Sequence, residues 1–304
     1  MLLVSWRTLR SLCRRVHTKP SAEAAMESAR VRRLFDGLAA GERAALAQCI
    51  TLVESTARQD HDEAQHLLQL VLQENKARRR GQLGSFRIGL TGPPGTGKST
   101  FIETFGKFLT GSGYKVAVLT VDPSSAVTGG VGQSEYMVAD MVDLFLLLIP
   151  PGGGDELQGV KRGIVEMADL IAVTKADGDH IPECRRMAAE YISALKFMKP
   201  RSQLWRPKVL QVSAKANVGI SELWAVAQDY RNALEPNGEL GHRRQQQRVR
   251  WLWTYVGSEL ERRLRSHPGI AACTAELESA VIEETITPGH ACDELMSRFF
   301  KGNS

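Results

Sequence analysis

The stretch Gly89–Phe101, GLTGPPGTGKSTF, constrains this chain more than any other. From Gly92 to Ser99 it fits the spacing G-x-x-x-x-G-K-S/T. The apolar run FRIGLTG leads into it and a helix-forming run follows. Glycines let the backbone curl with its N–H groups facing inward, and the positive end of the following helix adds to their pull on an anion. Such a loop cradles phosphates. A lysine at position 98 is placed to neutralise the β- and γ-phosphates of a nucleotide, and a serine at position 99 to ligate Mg²⁺. Gly92, Pro93, Pro94, Gly95, Thr96, Gly97, Lys98, Ser99 and Thr100 are therefore the candidate phosphate-binding set, with Lys98 the catalytic candidate. A chance glycine-rich turn has no reason to combine a preceding strand, a following helix and the Lys-Ser pair.

The rest of the middle of the chain repeats the same strand-then-helix rhythm. After FRIGLTG come YKVAVLTVD (Tyr114–Asp122), LFLLLI, LIAVT (Leu170–Thr174) and KVLQVSA (Lys208–Ala214), each apolar and of strand length. Helical patterns start at about Lys98 and recur near 156–167, 183–198 and 219–234. Alternation of this kind predicts an α/β fold, a mainly parallel sheet with helices on both faces; with the phosphate loop after its first strand, the sheet is of the P-loop type. Helical spacing also predicts helices over 27–57 and 61–79, followed by a charged, glycine-containing linker, RRRGQLGS, at Arg78–Ser85. The expected organisation is an N-terminal segment at 1–22, a helical region at 27–80, a nucleotide domain at 86–234 and a helical region at 240–304. In the last of these, Val249, Trp253, Val256, Leu260 and Leu264 share one stripe. That stripe suits either core packing or a dimerisation arm. The longest apolar run, LFLLLIP (Leu144–Pro150), is a buried strand by length and too short to span a bilayer.

The net charge of +5 would suggest a nucleic-acid surface if it were spread over the chain. It is not. Arg7, Arg10, Arg14, Arg15 and Lys19 lie within residues 1–22, which contain no acid, and they account for the whole excess. Leu2, Trp6, Leu9, Leu12, Cys13 and Val16 can line one face of an amphipathic helix there. The segment has the composition of a mitochondrial transit peptide, which would place the protein in the matrix; the other reading is a basic surface helix. Neither a nucleic-acid nor a membrane partner is expected. Cys13, Cys49, Cys184, Cys273 and Cys292 form no C-x-x-C pair and do not cluster with histidines, so reduced structural thiols are expected.

Two further strand ends bear on the choice of base. VTKADGD supplies Thr174-Lys175-Ala176-Asp177, a T/N-K-x-D element. A carboxylate at Asp177 can accept hydrogen bonds from N1–H and the 2-amino group of guanine, a donor pair that adenine lacks, while the stem of Lys175 lies over the base. VSAKANVGIS supplies Ser213, Ala214 and Lys215, where a backbone N–H can reach guanine O6. Each element is short. In this order after a phosphate loop they favour GTP over ATP.

The segments GPPGTGKST, VDPSS, VGQSEYMVADMVDLF, PPGGGDELQGVKRGIVEMADLIAVTKADGD and SAKANVGISELW together resemble the P-loop G-protein chaperones of adenosylcobalamin-dependent methylmalonyl-CoA mutase. The resemblance covers most of residues 27–304. It implies a homodimer that binds GTP or GDP with Mg²⁺ and helps to load and protect the mutase's cofactor. It also implies that Asp122 in VDPSS is an acid near the metal. GDELQGVK, with Asp155 and Lys161, would be a mobile loop coupling nucleotide state to the mutase; otherwise it is a glycine-rich loop entering a solvated helix.

The chain departs from that pattern at one place. The family's switch II has E-T-V-G ahead of V-G-Q-S-E. Here VGQSE (Val131–Glu135) is preceded directly by VDPSSAVTGG, with Gly130 where the switch glycine belongs. The part lacking is about sixty residues, on the order of two βαβ-type units, and would hold switch I and the strand that ends in the metal-linked Glu. Its loss predicts a vacancy in the sheet beside the phosphate-loop strand. At about 25 cal/mol per Å², exposing 400 Å² of apolar surface there costs on the order of 10 kcal/mol, comparable to the roughly 5–15 kcal/mol stability of a whole domain. Two functional readings follow: a GTP-hydrolysing chaperone, and a shortened form that only binds nucleotide or partner. A P-loop metallochaperone or kinase lacks a Cys/His cluster to support it. Gln133 is as suited to a polar helix start as to positioning water and is not assigned.

Overall fold

The computed structural model describes residues 2–5, 29–55, 57–79, 83–120, 138–152, 162–271 and 273–301. The chain forms two compact units, Met1–Gly241 and His242–Ser304.

In the first unit, one sheet carries six strands: β1 (Leu2–Ser5), β2 (Arg87–Thr91), β3 (Val116–Leu119), β4 (Leu144–Ile149), β5 (Leu170–Val173) and β6 (Lys208–Gln211). Their order is β3-β1-β2-β4-β5-β6. β2, β4, β5 and β6 pair in parallel, with Ile88 opposite Leu144, Leu146 opposite Leu170, and Leu170 opposite Lys208. β4 and β5 are buried along their whole length, as expected for parallel strands covered on both faces.

Period-two alternation divides that burial between two cores. Leu144, Leu146 and Leu148 face α4 (Lys98–Gly111) and α7 (Ile220–Leu234) through Phe101, Phe105, Leu223, Ala227 and Tyr230. Phe145, Leu147 and Ile149 face α5 (Arg162–Met167) and α6 (Ile181–Leu195) through Val165, Cys184, Met187 and Tyr191. The expected α/β sheet with helices on both faces is what forms.

Two buried aspartates fix the strand starts. Asp143, just before β4, accepts the Arg87 N–H at 2.8 Å and pairs with the Arg87 guanidinium at 2.8 Å. Asp169, just before β5, accepts the Phe145 N–H at 2.9 Å and pairs with Arg201 at 3.3 Å. Each carboxylate therefore caps the neighbouring strand, and each is satisfied by hydrogen bonds that offset the burial of its charge.

Three expectations need correction. The stretch 27–57 is two helices, α1 (Ala29–Ala40) and α2 (Arg43–Glu54). Gly41, at φ +82°, ends α1, with Glu42 N–H bonded to Gly37 O and Gly41 N–H to Leu38 O, the paired bonds of a Schellman turn. With α3 (Arg58–Arg79) these two helices bury Val31, Leu34, Cys49, Leu52 and Leu67 in a small core of their own. Second, of the strand expected over Tyr114–Asp122 the described residues show Val116–Leu119, with Val121 and Asp122 outside them, and that expected over Lys208–Ala214 runs only to Gln211. Third, Leu2–Ser5 is a strand, not the start of an amphipathic helix. It lies between β2 and β3, where the sequence predicts a vacancy, and its pairing with both neighbours overrides the helical spacing.

The long helix α8 (Glu239–Ser266) lies in the second unit from His242 onward and is followed there by α9 (Pro268–Ala271), α10 (Thr274–Ile282) and α11 (Pro288–Lys301). Ile270, Cys273 and Ala291 are buried, and the His267 ring meets Phe299 edge-on at 5.3 Å. On α8, Arg262 and Arg263 hold the Glu259 carboxyl down at about 2. The apolar stripe of α8 is not core: Val249, Trp253 and Leu260 are 56%, 68% and 57% exposed.

Candidate functional site

All four parallel strands end at one edge of the sheet, the edge at which open α/β sheets bind ligands. The loop after β2 is Gly92–Gly97, and α4 begins at Lys98. Gly92 passes so close to β4 that a Cβ there would stand 2.4 Å from the Leu148 carbonyl oxygen, so no larger residue fits. Gly95 and Gly97 adopt φ +80° and +83° and face open space. The Lys98 ammonium donates to the Gly92 and Pro93 carbonyls at 2.8 and 2.9 Å, which holds the side chain over its own loop. Ser99 and Thr100 are exposed on the first turn of the helix.

The loops after β5 and β6 are tied to that phosphate-loop geometry by side-chain hydrogen bonds. Thr174, at the end of β5, donates from Oγ1 to the Thr96 carbonyl at 2.9 Å. Thr104 on α4 donates to the Ala214 carbonyl at 3.2 Å. Ser213, fully buried, donates its hydroxyl to the Asp177 carboxylate and accepts the Ala216 N–H at 3.0 Å. Lys175 sits between Thr174 and Asp177 with φ +57°, a conformation that costs about 1–3 kcal/mol in a non-glycine residue and persists only where its surroundings enforce it. Here Asp177 N–H bonds back to Lys175 O at 2.8 Å and Ala176 N–H to Val212 O at 3.1 Å. Beneath the loop, the Cys184 thiol donates to Thr174 O at 3.5 Å. Burial first, and then the charges of Glu183 and Asp177, push that thiol's pKa up, so it stays protonated and structural.

Together these loops enclose a cavity of about 290 Å³. Of the sequence candidates, Thr96, Gly97, Thr100, Lys175, Asp177, Ala214 and Lys215 line it directly. Ser213 stands behind Asp177 as its hydrogen-bond donor. Gly92, Pro93, Pro94 and Gly95 shape the adjoining loop, with Lys98 folded onto it and Ser99 next along the helix. Asp122, Gly130, Gln133, Asp155 and Lys161 lie outside the described residues.

Phe101, Thr174, Val212 and His180 also line the cavity, beyond the candidate set. His180 closes a short 3₁₀ turn at Gly178–His180 that follows Asp177 directly, with His180 N–H on Asp177 O at 3.2 Å. Proximity to Asp177 in DGDH was the only signal for it. Among the described residues no group of three His, Cys, Asp or Glu side chains could hold a metal ion.

A glycine cradle that a Cβ would fill, joined to a cavity walled by a lysine, an aspartate and backbone from two more strand ends, fits a nucleotide with phosphates on the loop and base in the cavity. Fold and site thus define a P-loop nucleotide-binding α/β protein. The profile of the family described as methylmalonyl Co-A mutase-associated GTPase MeaB matches residues 46–131 and 126–269, and the chain belongs to that family. It is 40% identical to the mouse "Methylmalonic aciduria type A homolog, mitochondrial" over 352 residues, with 95% of this chain and 85% of the mouse protein covered. It is 38% identical to the Caenorhabditis elegans protein of the same name, with 89% and 83% covered. Among solved structures it resembles one described as LAO/AO transport system kinase. That match has a TM-score of 0.69 and 33% identity, and covers 91% of this chain and 99% of the other.

Proposed function

We propose that the cavity binds GTP or GDP with Mg²⁺. We further propose that the chain serves methylmalonyl-CoA mutase as a nucleotide-dependent chaperone, assisting the loading and protection of adenosylcobalamin. The observation that carries this reading is the convergence of the β2, β5 and β6 ends on one cavity. In it, Asp177 reads guanine N1–H and the 2-amino group, with Ser213 holding the carboxylate in place. Lys175 lays its stem along the base, and the backbone at Ala214 and Lys215 meets O6. Gly92–Gly97 and Thr100 cradle the phosphates, and Lys98 turns from its two loop carbonyls to the β/γ-phosphates. Ser99 and Asp122 are the residues that would hold Mg²⁺, which supplies charge neutralisation across those phosphates. The mutase as partner rests on the family's description and on the motifs shared with it.

A specific observation favours binding over turnover in this chain. The family match comes in two stretches that meet at 126–131. The alignment to the mouse protein runs over 352 positions, of which roughly sixty fall opposite no residue of this chain. We read switch I and the switch II acid as belonging to that interval, on the family resemblance of VDPSS and VGQSE on either side of it. Phosphoryl transfer depends on positioned charge, and removing one preorganised contact slows a reaction roughly 10²–10³-fold. The expected outcome is nucleotide binding with no measurable single-turnover hydrolysis, against measurable hydrolysis when a family-type segment is restored between Gly130 and Val131. Equal rates in the two proteins would refute this reading.

The base assignment is tested separately. Asp177→Asn should shift preference from GTP towards XTP by about tenfold or more, the loss expected when a charged hydrogen-bond acceptor is removed from a buried donor pair. Titration with GTP, XTP and ATP checks this, and an unchanged GTP preference would remove Asp177 from the role.

Residues 1–22 are read as a mitochondrial targeting segment, in keeping with the mitochondrial names of the mouse and worm relatives. A reporter carrying residues 1–30 should reach the matrix. The same reporter with Arg7, Arg10, Arg14 and Arg15 changed to Glu should stay in the cytosol; import of both would count against targeting by a positive amphipathic helix.

The exposed stripe of α8 is read as a homodimer contact, since three large apolar side chains spaced along one helix face are left uncovered in the single chain. Trp253→Glu with Leu260→Glu should convert a dimer to a monomer in sedimentation equilibrium. A dimer that persists in the double variant would place the contact elsewhere.

A further inference from the structure

β1 differs from the rest of the sheet in direction. It runs antiparallel to both neighbours, with Leu2, Leu3 and Val4 opposite Gly89, Ile88 and Arg87 on one side. On the other, Leu2, Leu3, Val4 and Ser5 face Leu119, Val118, Ala117 and Val116. β2 and β3 therefore run parallel to each other with one strand's width between them, about 9–10 Å, too far for their backbones to bond directly. Both present a row of N–H and C=O groups to that space. For β2 the demand is acute, because Ile88 and Leu90 are 3% exposed and a buried backbone group without a partner is strongly disfavoured. The occupant, LLVS, has the short, apolar, partly β-branched character that such a slot selects.

We propose that the space between β2 and β3 is a strand-acceptor site. Its ligand is a short extended apolar segment running antiparallel to β2, and residues 2–5 of the chain are its resident occupant. Backbone hydrogen bonds on both sides supply the affinity, as in other cases of strand addition, with two edges engaged where strand addition ordinarily engages one. The same residues begin the basic N-terminal segment. Where that segment is read as a targeting helix, a consequence that rests on the reading above, the docked strand and the helix are alternative states of one stretch of chain.

The test uses the full 304-residue chain. Directly opposed residues of an antiparallel pair alternate between Cα separations of about 5.5 and 4.5 Å, within the roughly 4.4–6.8 Å span of disulfides. Leu3→Cys with Val118→Cys, and Val4→Cys with Ala117→Cys, sample both phases of that alternation. Mild oxidation should form an intramolecular disulfide in at least one pair, mapped by mass spectrometry, and not in Leu3→Cys paired with Phe197→Cys. No disulfide in either opposed pair overturns the proposal.

The second measurement is amide exchange. Leu3→Pro with Val4→Pro removes donors facing both neighbours, and exchange over residues 87–91 and 116–119 should accelerate by about tenfold or more. A synthetic peptide of residues 1–8 added in excess should restore the protection. Unchanged exchange in the proline variant also overturns the proposal. If that variant does not fold, the cysteine pairs decide.

Discussion

A strand that carries a phosphate loop must be paired on both sides, and the rest of this molecule follows from that requirement. β2 is held by β4 on one side through four residue pairs, Ile88–Leu144 to Thr91–Leu147, and by β1 on the other. Its register against β4 sets where Gly92 leaves the sheet, and Gly92 leaves in contact with the Leu148 carbonyl. Any slip of β2 would move the phosphate loop away from Thr174, whose hydroxyl joins the Thr96 carbonyl to the Ile149 carbonyl. The site is thus a property of strand register before it is a property of side chains.

The loops above the sheet behave as one piece for a related reason. Among the described residues, three side-chain hydrogen bonds cross between them: Thr174 to Thr96, Thr104 to Ala214, and Ser213 to Asp177. Each joins an element that holds phosphate in the proposed site to one that holds the base, or fixes a base reader directly. The strained backbone at Lys175 is held by bonds to both sides, including the tie from Ala176 to Val212 on the neighbouring strand end. Groups fixed in this way need little reordering when a ligand enters, which is what makes a preorganised site effective.

Much of this was legible in the sequence because it rests on local patterns. LFLLLI reads as a doubly buried strand and divides its side chains alternately between two cores. The P-loop, T-K-x-D and S-A-K elements each follow a strand, so parallel order alone brings them to one edge. What was not legible depends on distant partners. Asp143 and Asp169 read as ordinary charges before apolar runs, yet they are buried caps on the neighbouring strands. Gly41 splits one helical pattern into two helices through a turn whose bonds reach back to Gly37 and Leu38. His180 enters the cavity only because a 3₁₀ turn follows Asp177. Leu2–Ser5 has helical spacing with the residues after it, and its strand form is imposed by two edges that lie more than eighty residues away in the chain.

Repairing a sheet and repairing a site are different things, and strand direction separates them. In an open α/β sheet every parallel strand ends at the ligand edge, and the loop that follows it can deliver a side chain there. β1 runs the other way. Its C-terminal residue, Ser5, lies level with Val116 at the start of β3, and Val4 lies level with Arg87 at the start of β2. Ser5 therefore lies at the edge opposite the phosphate loop. An antiparallel strand can satisfy the N–H and C=O groups of β2 as well as a parallel one, and so stabilises the strand on which nucleotide binding depends. It cannot bring an acid or a switch loop to the phosphates from its own end. The parallel strands β2, β5 and β6, by contrast, end at the ligand edge, and among the described residues the loops that follow them are what line the cavity there.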